Sequence, residues 1–495
     1  MAFKIDLENP EVAIRETRLG SITGYNGNIG EIAACAEGAG GCALKNRERQ
    51  FSQMSACSSG CAHTYLTRIA DAAIVNHAPV GCIADTTVNN AEYKWGRKAR
   101  GLGRANIRLI NTNMTENDTV FGAAEKLKRA IREAYRRFNP KAIFVTTSCV
   151  SGIIGEDILS IIQAARAEIP VPVAPVFCEG FKSQIWASGF DAVFHAILTN
   201  IVKPPQKKSN KMNMINFTGS ARKKVQEMLE RFGVEPVFMV PFSTIEQLEK
   251  ASEALATISI CGTLSGYFGH ALEKQYGVPY VKSIQPHGIA GTDAWLRAIG
   301  SLLGKEKIAE DYIREEHAKI ADELAALRQS LKGTRAVVGM GPNYAHNYIR
   351  LLEEFSIEVV WGASWHYDPI YDNGKIPPAV QHLAESGKEE LPFSVVDQQV
   401  YEIVNLLNRL KPDLYIGRHP GMTVWATKLG IPAIMVNDEF SAYGYQGFLD
   451  FGQRILDIMT NRNFIRQLSE HTRMPYTDWW MEQDAFRFLR ETGRE

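Results

Sequence analysis

Four cysteines of this chain stand where thiolates could be delivered to an inorganic cluster. Cys57 lies in SACSSGCAH, Cys82 in NHAPVGCIAD and Cys149 in FVTTSCVSGIIGEDI, while Cys261 stands apart in ISICGTLSGYFG. Small residues flank the first three and let backbone approach a bulky group. Two of them end hydrophobic runs, AAIVNHAPVGC and KAIFVTTSC, which read as buried strands with a thiolate at the tip. Soft thiolates on rigid tips are the usual ligands of iron–sulfur cages. The competing reading is a buried thiol, since free Cys is among the most buried residue types and no CxxC pair is present. Cys57 and Cys61 are four apart, so they share one helix face or, because Ser-Ser-Gly separates them, a loop.

Those tips must be carried by several folding units. A chain of 495 residues suggests roughly three domains of about 150 residues. Lys plus Arg and Asp plus Glu both number 55, and this balance leaves no field to attract nucleic acid or an anionic membrane over the whole surface. Basic stretches near residues 94–104 and 204–211 read as solvated loops. No uninterrupted apolar run reaches the roughly 18 residues that span a bilayer. No apolar export segment opens the chain, so a cytoplasmic setting and reduced thiols are expected.

Strand and helix signals alternate. VFGAAEKLKRAIREAYRRF reads as an amphipathic helix closed by Asn139-Pro140, KAIFVTTSC as a buried strand, GEDILSIIQAARAEI as a helix and VPVAPVFCEGF as a further strand. The run 203–210 reads as a linker, after which KMNMINFTG, RKKVQEMLERFG and VEPVFMV open a second unit. TRAVVGMGPNYAHNYIRLLEEFSIEVVWGAS opens a third. The expectation is an α/β fold of three Rossmann-like domains with parallel sheets around a central metallocluster cleft: residues 1–203 with Cys57, Cys82 and Cys149, 211–330 with Cys261, and 331–495 closing the cleft. Gly339 and Gly341 give only a weak dinucleotide signal, since G-M-G-P-N-Y departs from G-x-G-x-x-G.

Seven blocks in fixed order carry a family resemblance: HAPVGC, TENDTVFG at 115–122, SCVSGIIGEDI, CEGF at 178–181, KQYGVPY, LKPDLYIG at 410–417 and LGIPAIMVND at 429–438. Over nearly its whole length the chain resembles the α-type subunit of nitrogenase component 1 and its relatives. The resemblance implies that Cys57, Cys82 and Cys149 ligate an electron-relay iron–sulfur cluster, P-cluster-like or 4Fe-4S, completed by a β-type partner. Cys61 is the alternative to Cys57. Cys261 would hold one end of a large active-site cluster. The implied assembly is an α2β2 heterotetramer served by an ATP-dependent 4Fe-4S iron-protein homodimer. Neither nucleic acid nor membrane is an expected partner.

Departures from dinitrogen-reducing nitrogenase narrow the reading. Where nitrogenases place a proton-donating histidine and a nearby glutamine over the cofactor, this sequence has Phe190 and Trp186. Where they place the histidine on the molybdenum end and a lysine for homocitrate, it has Asn437 and Gly421. A heterometal end needs a nitrogen ligand and a polycarboxylate needs cations, so an all-iron, precursor-like cluster without molybdenum or homocitrate is expected. Trp186, Phe190 and His366 are pocket candidates, with His270 and His346 as further polar neighbours. The implied function is the catalytic subunit of a nitrogenase-like oxidoreductase such as methylthio-alkane reductase, which cleaves carbon–sulfur bonds of small thioethers. A cofactor-assembly scaffold is the alternative, holding a maturing cluster without turnover, and a dinitrogen reductase is the third.

Overall fold

The computed structural model describes residues 5–37, 44, 47–53, 57–84, 86–216, 219–370, 376–397, 399–418, 420–437 and 442–491. In chain order its strands are β1 (Tyr25–Asn28), β2 (Arg47–Arg49), β3 (Ala72–Asn76), β4 (Leu109–Asn111), β5 (Ala142–Thr146), β6 (Val173–Val176), β7 (Lys211–Ile215), β8 (Glu235–Met239) and β9 (Ala256–Ser259). They continue with β10 (Arg335–Met340), β11 (Glu358–Ser364), β12 (Pro392–Val395), β13 (Leu414–Gly417), β14 (Ala433–Met435) and β15 (Leu489–Glu491).

Three sheets carry most of the strands. The first runs β4-β3-β5-β6, the second β8-β7-β9 and the third β1-β12-β11-β10-β13-β14. Pairing within each is parallel except at β1, which joins β12 antiparallel. The AAIVN and AIFVT strands at the centre of the first sheet are buried at every position, as strands covered on both faces must be. Their flanking helix, Ala124–Phe138, buries Leu127, Ala130, Ile131 and Ala134. It ends where Asn139 turns to φ 42° and its N–H reaches the Tyr135 carbonyl, the left-handed stop that Asn tolerates.

The N-terminal stretch is not wholly part of the first unit. Through β1 its residues 25–28 build the edge of the third sheet. β2 pairs antiparallel with β15 near the other end of the chain. No local pattern in 1–203 marks that crossing, because an edge strand is chosen by its distant neighbour.

The middle sheet makes the three units one packed body. One continuous core joins Met212, Met214 and Ile258 to Val338, Phe393 and Ile416 of the third sheet. A second joins Ile215 and Met239 to Ile74, Phe144 and Phe190 of the first. Parallel strands leave their carboxyl ends at one edge of each sheet, where loops and helix N-termini can meet a ligand. Cys82, Cys149, Cys178, Cys261, His366, Arg418 and Asn437 all lie within a few residues of such an end. Gly339, one half of the weak dinucleotide signal, has a packing explanation: a Cβ there would lie 2.4 Å from the Tyr415 hydroxyl.

Candidate metallocluster sites

Cys57 caps the helix Ser58–Leu66, its sulfur accepting from the Gly60 N–H at 3.4 Å. The Ser-Ser-Gly segment therefore starts a helix, and Cys61 falls one turn in, buried among Ile74, Phe190 and Phe194. Cys149 opens the helix Cys149–Ile153, whose cap Ser148 donates from its hydroxyl to the His77 carbonyl at 2.8 Å and so ties this tip to the end of β3. Cys82 lies in the short 3-10 turn Val80–Ile83 and is exposed.

Gly180 is where two of these thiols converge. A Cβ at that position would stand 2.9 Å from the Cys57 Cβ and 3.5 Å from the Cys149 sulfur, so only glycine leaves both side chains their places. Burial pushes the Cys82 thiol up, and the neighbouring Cys149 and Cys57 sulfurs push it further, which places the third thiol in the same field. Cys178 is close to Cys57 but turned inward; it is buried and donates to the Thr147 carbonyl at 3.4 Å. Among the described residues no three His, Cys, Asp or Glu side chains close around a point for one metal ion. Cys35 departs from the expectation of reduced thiols throughout, since it is disulfide-bonded. Such a bond needs only a second sulfur at bonding distance, which an argument from compartment does not register.

Cys261 has a different setting. It follows β9, caps the helix Gly262–Tyr276 and is buried. Burial raises its thiol; the backbone N–H of Leu264, the Arg418 cation and the Thr263 N–H and hydroxyl pull the other way. A thiolate there is thus met by a helix N-terminus and a guanidinium, with bound iron the missing partner that would keep it ionised. Arg418 follows β13 and lies over the Tyr344 ring at 4.2 Å. It was not among the sequence candidates, although its place at the end of LYIG, a strand tip, was the available signal.

Phe190 and Trp186 sit at the start of the helix Ser188–Asn200 and just before it. Phe190 is buried and meets the Tyr65 ring at a tilt with centroids 4.5 Å apart, and Tyr65 in turn reaches the Leu264 carbonyl in the turn after Cys261. Trp186 meets the Phe190 ring edge-on at 5.7 Å and the His366 ring edge-on at 5.9 Å, bridging the cores of the first and third units. Beneath them runs a buried charge network. Arg15 binds both oxygens of Asp191 at 2.8 and 2.9 Å and one of Asp368 at 3.2 Å, and it also donates to the Thr263 carbonyl. Arg18 joins it on Asp191. The network borders a small recess of about 40 Å³ that also takes in His270 and His346. Asn437 is half-buried just beyond β14, and a Cβ on Gly421 would meet nothing within 4 Å.

A family model described as nitrogenase component 1 type oxidoreductase matches residues 57–460. The chain belongs to this family. It is 28% identical over 365 residues to the nitrogenase molybdenum-iron protein alpha chain of Clostridium pasteurianum, covering 70% of this chain and 66% of that one. It is 28% identical over 420 residues to the nitrogenase iron-molybdenum cofactor biosynthesis protein NifE of Methanococcus maripaludis, covering 83% and 84%. A solved structure described as nitrogenase Cp1 at pH 6.5 superposes with a TM-score of 0.72 at 21% identity, over 96% of this chain and all of the other. That likeness establishes the α/β fold with its parallel sheets. Among the described residues no helix is long and apolar enough to cross a membrane.

As a nitrogenase component 1 type protein, the chain offers donor sets that fit iron–sulfur groups in two places. The first is an all-thiol set of Cys57, Cys82 and Cys149 that opens to the surface. The second is one buried thiol beside a cation.

Proposed function

We propose that the chain is the catalytic α-type subunit of a nitrogenase-like, ATP-dependent reductase that cleaves carbon–sulfur bonds of small methylthio-alkanes. In this reading Cys57, Cys82 and Cys149 hold a relay cluster shared with a β-type partner, in an α2β2 assembly served by an iron-protein electron donor. Cys261 anchors an all-iron active-site cluster lacking molybdenum and homocitrate, with Asn437 at its far end. When bound, that cluster supplies low-potential electrons and open iron positions; the chain's own residues orient the substrate and exclude water.

The observation that carries the reading is the aromatic pair Trp186–Phe190, packed edge to face at 5.7 Å one ring away from the Cys261 turn. Phe has no transferable proton and Trp offers only an indole N–H, so this face binds apolar substrate by dispersion and relays no protons to dinitrogen. A methyl thioether, small and weakly polar, matches such a wall.

Assembly scaffold is the second reading, and Asn437 with Gly421 favours it: an end without imidazole or ammonium would release a cluster readily. NifE proteins also match over more of the chain than the alpha chain does. The experiment is purification of the chain with its β-type partner, metal analysis, and turnover with the iron protein and ATP. Iron far above molybdenum and vanadium, with electron flux to a methyl thioether, supports the enzyme. No turnover, together with transfer of the cluster to a separate apo-enzyme, supports the scaffold. Efficient ammonia formation overturns both.

A further inference from the structure

We propose that His366 is the proton-delivering residue of the active-site cleft, acting through Nε2 while Asp368 holds its other nitrogen. The proposal deepens the reductase reading and rests on it.

His366 lies two residues past the carboxyl end of β11 and is buried. Its Nδ1 is 3.1 Å from Asp368 Oδ1. Burial would raise the Asp368 carboxyl, but His366 and Arg15 outweigh it and hold the group below the usual carboxylate range. Ser21 donates to the same carboxylate, and Arg15 is itself clamped by Asp191. Asp368 is therefore an anion fixed from three sides. An anion accepts, so Nδ1 carries a hydrogen and Nε2 is the atom left to act.

Among the described residues Nε2 has no hydrogen-bond partner, and it has no access to solvent. A buried unpaired nitrogen costs free energy, a cost that a ligand in the cleft would offset. The edge-on contact with Trp186 places His366 on the same wall as the Trp186–Phe190 pair. The acid that Phe190 cannot be is then supplied from the loop after β11 beside it, and the apolar wall keeps water from competing for it.

Reductive cleavage of a methyl thioether breaks one carbon–sulfur bond, consumes two electrons and two protons, and yields a hydrocarbon and a thiol. The iron protein supplies the electrons. His366 gives one proton from Nε2, water supplies the second, and water entering the cleft between turnovers reprotonates the imidazole.

The test uses the purified holo complex with dimethyl sulfide as substrate and compares wild type with His366→Phe and His366→Gln. Both variants should keep the iron content and thermal midpoint of the wild type, and both should lose product formation by about 10²-fold or more, the usual contribution of a general acid. Electron–nuclear double resonance on the active-site cluster should show an exchangeable proton coupling in the wild type that disappears in His366→Phe. Wild-type rates with the coupling intact in His366→Phe would overturn the proposal, and so would loss of iron in step with activity. If the wild type itself turns over no thioether, the reductase reading fails, and the fate of the proton coupling still decides whether His366 Nε2 serves the cleft.

Discussion

At the scale of single residues, burial assigns different roles to side chains of one type. Cys261 and Cys178 are both buried thiols, yet only Cys261 caps a helix with a guanidinium beside it. Cys261→Ala should abolish substrate reduction and remove part of the iron while the relay-cluster spectrum persists, as read by metal analysis and electron paramagnetic resonance. Full activity in that variant would end the assignment. His346 shows burial without a visible partner: its ring stacks on Phe393 at 5.0 Å, its Nε2 is unpaired, and burial lowers it to about 3. Unfolded histidine titrates near 6.5. As the pH falls from about 6.5 toward 3, the unfolded chain takes up a proton that the folded one refuses, so stability drops across that window. His346→Phe lacks this loss. Its urea midpoint should therefore fall less than that of the wild type between pH 7 and pH 4.5, and parallel declines would refute the assignment.

At the scale of elements, two helices set the distance between the relay tip and the aromatic wall. The helix Ser188–Asn200 crosses the helix Ser58–Leu66 so closely that a Cβ on Gly189 would lie 2.0 Å from the Ser58 carbonyl oxygen. Gly189→Ala must push the two apart, displacing Cys57 at one helix start and Phe190 at the other. We expect roughly 1–3 kcal/mol of destabilisation, the usual cost of overpacking. Relay iron should be lost before the Cys261-bound signal weakens, and denaturant titration with metal analysis of the assembled complex would check both. An unchanged stability and iron content would mean that the crossing yields without disturbing either site. The Arg15 network acts on the same scale. It fixes the N-terminal segment to Asp191 on one helix and Asp368 after β11, and the buried Arg15 cation would be uncompensated without those carboxylates.

At the scale of the whole molecule, the thiols of Cys57, Cys82 and Cys149 lie near exposed apolar side chains. Val80 beside Cys82, Ile153 in the Cys149 helix, and Phe121 and Phe181 nearby are all exposed, Phe121 to 84% and Ile153 to 74%. An apolar rim around half-ligated thiols is what a partner subunit would cover. If the cluster is completed across that surface, Cys82→Ala should lose relay iron and weaken the heterodimer together, because cluster binding and assembly are then one equilibrium. Gel filtration with iron analysis of the co-purified complex would check it. A variant that assembles normally with full iron would make Cys82 a surface thiol and nothing more.

The order of strands, turns and thiol-bearing tips was legible in the sequence because those signals are local. AAIVN and AIFVT can only be buried strands, Asn139-Pro140 can only stop a helix, and a cysteine at the end of such a run must stand at a sheet edge. The family blocks added which tips matter. Tertiary structure alone decided what meets at those tips. Gly180 brings Cys57 to Cys149 across ninety residues of chain and leaves Cys61 in the core. Residues 25–28 were drawn into the third sheet by β12. Arg15 found Asp191 and Asp368 at separations of 176 and 353 residues, and Arg418 came to rest beside Cys261. Periodicity and turn chemistry reach only a few residues along the chain. Contacts between units are selected by packing of whole faces, and that information is spread over all the residues of both faces rather than written at either partner.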